Sequence, residues 1–364
     1  MKEEKLIYDI TEFEYKREIT KRLPYPFFGL NKITGAAEVG NVIIIFSKTN
    51  SGKSELITQF MSHWCETGEK VVAMLGEHTM RKAQALLYKK VSHYDKDKWV
   101  TKSYGKDKNG KDLGIYETFI SEEDEKKAIS IFKDKLFLYD TRKGFGLKDV
   151  VRGYEQGIEK GCSVAVLDNQ MMLDLETTLE LREQGDNTEY LRQWGKQHQV
   201  PVFLVGHARK IEPNRIRLTE NDLAGSSNIA NKATTIMTLT RLDILDPSTK
   251  EYKDYAKLLE LNYIDIKKCD AIIEVVKEKN GTGGFVGLKW YESTKTFREV
   301  YDPEMIKKKE DDKKIKDEKF ANKESEDPEK PVNFLPKSSQ ESFCGFVPIE
   351  GAELIFKEKD DELF

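Results

Sequence analysis

Eight residues constrain this chain more than any others. Ser47–Ser54, SKTNSGKS, lies directly after the β-branched run Asn41–Phe46 (NVIIIF) and directly before a helix-like stretch, ELITQFMSHW. A phosphate-cradling loop has the pattern Gly, four residues, then Gly-Lys-Ser/Thr, set between a strand and a helix. Gly52, Lys53 and Ser54 supply its second half, while Ser47 stands where the pattern has its first glycine. Gly52 lets the backbone curl so that consecutive N–H groups face phosphate oxygens. Lys53 reaches the β and γ oxygens, and the Ser54 hydroxyl suits magnesium. The helix that follows adds the partial positive charge of its N-terminus. Ser47, Asn50 and Ser51 complete the loop that would line the nucleotide, with ATP and Mg2+ as the expected ligands. Ser47 either tightens the loop or is simply tolerated. The competing reading, an ordinary turn with a chance Gly-Lys-Ser, has the preceding strand against it.

The rest of the chain up to about residue 300 repeats that alternation. Val71–Leu75, Leu136–Tyr139, Ser163–Leu167, Val200–Val205 and Thr234–Leu239 are short apolar runs separated by helical stretches such as Arg81–Ser92. Continuous apolar strands between helices predict an α/β fold, a mostly parallel sheet flanked by helices on both faces. Ala271–Val276 and Phe285–Tyr291, joined by KEKNGTGG, predict a closing β-hairpin. Three segments are expected: a charged lead-in over 1–27, a nucleotide-binding domain over 28–304, and a disordered charged tail over 305–364. The chain's 34% charged and 38% hydrophobic residues fit a folded core carrying such an appendage.

Two carboxylates and a histidine follow predicted strands. Asp168 ends CSVAVLD, where a carboxylate would hold the magnesium shell opposite Ser54. A lone Asp after an apolar strand is common, and the phosphate loop earlier in the chain is what turns the reading toward the metal. Glu77 follows Val71–Leu75 in LGEH and suits a general base that polarises water. The alternative is a helix-start Glu that favours the dipole of the next helix. His207 ends PVFLVGH, placed either to sense a γ-phosphate or to serve the structure.

Taken in order, these stretches resemble the ATPase domain of DnaB-like hexameric replicative helicases, particularly Twinkle and the helicase half of phage primase–helicases. FFGLNKITGAAEVGNVIIIFSKTNSGKS is similar to their lead-in and phosphate loop, and VVAMLGEHTMRKAQALLYKKVS to the segment carrying their catalytic glutamate, here Glu77. VAVLDNQMML resembles the magnesium strand with Asp168, Asn169 and Gln170, the last implied as a nucleotide contact. VPVFLVGHARK resembles the sensor strand with His207, and DLAGSSNIANKATTIMTLTR the segment after it. VVKEKNGTGG resembles the segment that supplies a lysine and an arginine finger to the neighbouring subunit's nucleotide, here Lys277 and Lys279. The resemblance spans about Phe28 to Phe297. It implies a RecA-like P-loop core, a ring of six subunits with ATP at their interfaces, and movement along single-stranded DNA. Lys279 replaces the usual arginine, giving a point charge where a planar fork is expected.

In such rings two loops line the channel, here about Asp174–Asn187 and Arg209–Asp222. The second carries Arg209, Lys210, Arg215 and Arg217, suited to a phosphate backbone, against the plainer reading of a solvated surface loop. The net charge of −4 gives no bulk attraction for nucleic acid, so any DNA contact must come from a local strip. The terminal EKDDELF is either chance or a peptide that docks Leu363 and Phe364 into a primase, polymerase, clamp or other replisome protein. Cys65, Cys162, Cys269 and Cys344 stand apart without metal-ligand spacing. No run approaches the ~20 apolar residues of a membrane span, and MKEEKLIYDITEFEYKREITKR lacks a leader's apolar stretch, so a cytoplasmic chain is expected. Two other functions share these motifs: a RecA-like recombinase forming filaments on single-stranded DNA, and an ATP-dependent replication loader that does not unwind.

Overall fold

The computed structural model of the chain describes residues 20–91, 117–169, 180–212, 215–225, 227–279 and 281–302, with 100–102, 106, 108–110, 171, 173–174, 307–308, 311 and 314 besides. Residues 309–364 form a unit distinct from 1–308. The expectations for residues 1–19, for Gln170, for Cys344 and for Leu363 and Phe364 lie outside the described residues.

In chain order the strands are β1 (Arg22–Leu23), β2 (Ala37–Glu38), β3 (Val42–Ser47), β4 (Val71–Leu75), β5 (Val100–Lys102), β6 (Glu117–Phe119), β7 (Leu136–Leu138), β8 (Val164–Asp168), β9 (Val202–His207), β10 (Thr235–Arg241), β11 (Ala271–Glu278), β12 (Gly284–Tyr291) and β13 (Thr296–Glu299). The helices are α1 (Phe28–Thr34), α2 (Lys53–Glu66), α3 (Met80–Val91), α4 (Glu122–Phe132), α5 (Leu147–Glu159), α6 (Glu180–His198), α7 (Ser227–Lys232) and α8 (Lys250–Leu261). Nine strands make one sheet in the order β13-β12-β11-β10-β3-β9-β8-β4-β7. From β10 to β7 every pairing is parallel. From β10 to β13 every pairing is antiparallel. The expected closing hairpin is β11–β12. The chain adds β13 to it, a strand the sequence did not announce because TKTFRE alternates charge with only one large apolar residue.

β3 is central, and all six of its residues are buried. That explains its unbroken apolar run: a strand covered on both faces has no polar side. Ile43 and Ile45 face the layer of α2, α3 and α4, with Leu56, Phe60, Trp64 and Leu87. Val42, Ile44 and Phe46 face the layer of α5, α6 and α7, with Val150, Leu191 and Ile229. Trp64 packs on Phe203 of β9 with ring centroids 4.7 Å apart, and its indole N–H donates to the Pro24 carbonyl at 2.8 Å. Helix α2, whose N-terminus ends the phosphate loop, is thereby clamped to the sheet. Cys65, Cys162 and Cys269 are buried and unbridged. Among the described residues no helix is long and apolar enough to cross a membrane.

Candidate nucleotide site

Parallel α/β sheets present ligands at the carboxyl ends of their strands, and register brings the expected residues together there. Ser47, the last residue of β3, pairs with His207, the last of β9. Asp168, the last of β8, pairs with Val205 on one side and with Leu75, the last of β4, on the other. Glu77 lies two residues beyond Leu75, held by a tight turn in which the Gly76 N–H donates to the Asp168 carbonyl. Four loops thus converge at the edge where the phosphate loop begins.

Gly52 has φ +87°, and a Cβ there would sit 3.3 Å from the Phe297 ring. Only glycine combines that backbone with that neighbour. Asn50 is also left-handed, at φ +60°. Ser47 is fully buried, and its hydroxyl, like that of Ser51, donates to the Lys48 carbonyl at 2.9 Å. Ser47 therefore closes the loop by a hydrogen bond where the pattern has glycine. No side chain caps α2, so the amides of its first turn are open to an anion. Lys53 is 7% exposed. Burial lowers the pKa of its ammonium, and the charges of Asp168 and Glu77 work the other way.

Asp168 is 1% exposed, and its Oδ2 is buried with no hydrogen-bond partner among the described residues. Burial raises its pKa above the ordinary aspartate value, opposed by a hydrogen bond from the Ser54 hydroxyl and reinforced by Glu77. A buried carboxylate oxygen without a donor is costly unless a cation takes it. Ser54 and Asp168 therefore fit magnesium, an oxygen-seeking ion that keeps several waters and takes phosphate oxygens as further ligands.

Glu77 Oε1 accepts from Asn169 Nδ2 at 3.0 Å and lies 3.1 Å from His207 Nε2. Burial pushes this carboxyl up, but those two hydrogen bonds, with the charges of His207 and Lys53, outweigh it and leave its pKa below the usual glutamate value. The result is an ionised base beside Lys53, aimed by two side chains. Lys277 and Lys279 are elsewhere. Thr235 of β10 pairs with both Ile43 and Glu278, so the end of β11 lies level with the start of β3. That is four residues before Ser47, roughly 13 Å along the strand. Lys277 Nζ donates to the Ala230 carbonyl at 2.7 Å, and the Lys279 side chain is exposed. In a single chain they occupy the sheet edge opposite the phosphate loop.

The four basic residues after β9 divide. Arg217 makes a bidentate pair with buried Glu274, and Arg215 pairs with buried Asp222 at 2.7 Å. Arg209 sits 3.8 Å from Asp222, and Lys210 is exposed. Of the other expected channel loop, residues 180–187 form the start of α6, because ELREQGDNTEYLRQW continues a helical pattern into Leu191 and Trp194 of the core.

Three residues at the site were not singled out from the sequence for a role there. Asn169 orients Glu77; its position directly after the strand-ending Asp168 was the available signal. Arg241 ends β10 beside β3, close enough that a Cβ on Gly52 would lie 3.8 Å from its guanidinium. It stacks 4.8 Å from the Trp290 ring centroid and pairs with Asp243. The pairing of β12 with β13 brings Trp290 and Phe297 there, and a register so distant in sequence is invisible before folding. Lys48, inside the loop, sends its Nζ to the Arg215 carbonyl at 2.5 Å, a contact that no sequence spacing signals.

Residues 23–299 match the family described as DnaB-like helicase C terminal domain. Comparison with individually curated proteins finds no match. Among solved structures, the ATPase domain of G40P is similar with TM-score 0.60 at 16% identity, covering 76% of this chain and 91% of that one. The structure of a DnaB-like replicative helicase and its interactions with primase is similar with TM-score 0.59 at 16% identity, covering 76% of this chain and 62% of that one. At such identity the likeness shows the fold: a RecA-like ATPase core of mostly parallel sheet between helices.

Proposed function

The chain belongs to the DnaB-like helicase C-terminal domain family, and from that premise we propose that it is a magnesium-dependent ATPase that drives a replicative DNA helicase. In this reading it works as a ring, most simply a hexamer, that moves along single-stranded DNA and separates the duplex. The observation that carries the ATPase reading is the convergence of Lys53, Ser54, Asp168, Glu77 and His207 on one sheet edge, with Asp168 Oδ2 lacking a donor.

Lys53 and the amides of the loop bind the β and γ phosphates of ATP. Bound magnesium, held by Ser54 and Asp168, would neutralise charge that develops on the phosphates. Glu77, kept ionised by Asn169 and His207, accepts a proton from the attacking water and directs its oxygen. His207 contacts the base and lies in register with the first residue of the phosphate loop, so it is placed to report loss of the γ-phosphate. Arg241 and Trp290 offer a flat cationic and aromatic ledge beside Gly52 that suits the adenine.

The position of Lys277 and Lys279 at the far edge supports assembly. A neighbouring copy is what brings those cations to a phosphate loop and completes charge stabilisation there. Arg209 and Lys210 are the side chains of the 209–222 loop best placed to meet a DNA backbone. A primase is a natural partner, given the similar replicative helicase described together with its interactions with primase, and the acidic tail ending in Leu363 and Phe364 suits docking on replisome proteins.

The test is ATP hydrolysis by purified protein with and without single-stranded DNA, for wild type, Lys53→Ala and Glu77→Gln, followed by unwinding of a forked duplex. DNA-stimulated hydrolysis lost in both variants, with nucleotide binding retained in Glu77→Gln, is expected. A wild type that hydrolyses nothing overturns the reading.

A further inference from the structure

The phosphate loop is tied at two consecutive residues to the segment that follows β9, once at Ala208 and once inside the 209–222 loop. The Ser47 carbonyl accepts from the Ala208 N–H at 2.9 Å, an extension of the β3–β9 ladder. Lys48 then does something a phosphate loop does not require. Its side chain leaves the nucleotide side and donates from Nζ to the Arg215 carbonyl at 2.5 Å, across 167 residues of sequence. The bond is partly shielded, since burial depresses the Lys48 ammonium, followed in weight by the charge of Arg215.

Arg215 is a rigid point to grip. Its guanidinium pairs with Asp222, which is fully buried and also accepts from the Thr219 N–H at 2.7 Å and the Thr219 hydroxyl at 2.8 Å. The Arg209 N–H donates to the Asp222 carbonyl at 2.8 Å, and Ala208 bridges Leu223, closing the base of the loop. Arg217, two residues on, is fixed to Glu274 of β11. The outgoing limb of the basic loop is thus braced at Asp222 and at Glu274. A further tie runs directly to the backbone segment whose amides would receive phosphate oxygens. A shielded bond between a cation and a carbonyl is costly to break and leave unsatisfied, so displacement at Lys48 is passed to Arg215 more readily than it is absorbed.

We propose that Lys48 is a positioning residue that couples the phosphate loop to the 209–222 loop, so that nucleotide occupancy sets the conformation of that loop and through it the grip on single-stranded DNA. The DNA half of this statement rests on the helicase reading above; the loop-to-loop half does not. Coupling free energies between sites correspond to roughly 5–150-fold changes in affinity, and they are reciprocal.

The test uses the full chain as wild type, Lys48→Met, which keeps the stem and removes the donor, and Lys48→Arg, which keeps a donor. Each is compared with and without a saturating non-hydrolysable ATP analogue, and melting temperatures confirm folding. In one arm, hydrogen exchange across 209–222 is followed without DNA. In the other, fluorescence anisotropy measures affinity for a labelled oligothymidine. Wild type is expected to show nucleotide-dependent exchange in 209–222 and at least about a fivefold nucleotide effect on DNA affinity. Lys48→Met should lose both responses while still binding the analogue, and Lys48→Arg should recover them in part. A merely structural lysine would shift affinities without changing the ratio between nucleotide states. If wild type and Lys48→Met respond alike in both arms, the coupling role is overturned and the helicase reading stands. If wild type responds in exchange and Lys48→Met does not, while DNA affinity ignores nucleotide in both, the loop coupling stands and its extension to DNA falls. No nucleotide response in either arm of wild type overturns the proposal.

Discussion

Asp168 is a residue placed against its own comfort. Its carboxylate is buried with one oxygen lacking a donor, and burial raises its pKa above 3.8. A carboxyl that holds its proton more tightly in the fold contributes stability at low pH that is lost as pH rises through the raised value. Ionising Asp168 in the ligand-free fold, with its negative charge, is therefore unfavourable. Asp168→Asn keeps the shape and an acceptor for Ser54 while removing that charge. It should stabilise the ligand-free protein by about 1 kcal/mol, or roughly 2–4 °C in melting temperature, and abolish magnesium-dependent hydrolysis. Calorimetry with and without magnesium checks both. Glu77 behaves in the opposite sense. In the proposed mechanism it acts as the ionised base, and donors from Asn169 and His207 outweigh burial to keep its pKa below the usual value. Hydrolysis should show no acid limb from this group between about pH 6 and 8. His207→Ala removes a hydrogen bond and a charge while leaving burial, so the acid limb should move to higher pH in a profile of kcat. At this scale the phosphate-loop turn was legible, because spacing alone sets Gly52, at φ +87°, directly before the helix that starts at Lys53. The donors that tune Glu77 were not, since their pairing depends on strand ends brought together only by the sheet.

Among elements, the segment from β9 to α7 shows how a run of basic residues misleads when read as charge alone. Arg209, Lys210, Arg215 and Arg217 look equivalent in sequence. In the fold, Arg217 is half exposed but spends its guanidinium on Glu274, whose side chain is 5% exposed, while Lys210 is left to solvent. Arg217→Ala would strand a buried carboxylate, which costs about 3 kcal/mol or more, visible as a lower denaturant midpoint. Lys210→Ala should change stability by less than about 0.5 kcal/mol yet weaken binding of single-stranded DNA and flatten its salt dependence. Paired denaturation and salt-titrated binding measurements separate the two residues. The parallel strands, by contrast, were legible to within two residues at each end: runs such as VIIIF and VVAML are buried on both faces, and such runs are apolar throughout. β13 and the helical start of α6 were missed for the converse reason. Both are polar over much of their length, and their structure comes from partners distant in sequence.

For the whole molecule, the sheet separates two sets of charges. Lys53, Asp168, Glu77 and His207 lie at the carboxyl edge of the parallel strands, and Lys277 and Lys279 at the other. In the proposed assembly, head-to-tail contacts between copies would join them, and such contacts close into rings when the rotation permits. The sequence held the two sets but not their separation, which follows from β11 running antiparallel to β10. The measurement that tests this most directly mixes two inactive variants. Glu77→Gln lacks the base but offers Lys279, and Lys279→Ala retains the base but offers no cation to its neighbour. Subunits of the two are co-assembled at equal concentration and assayed for ATP hydrolysis. A site completed by its neighbour should regain about a quarter of wild-type activity, because half of the acceptor sites are intact and half of their neighbours are. A mixture no more active than the two variants assayed apart would contradict the account.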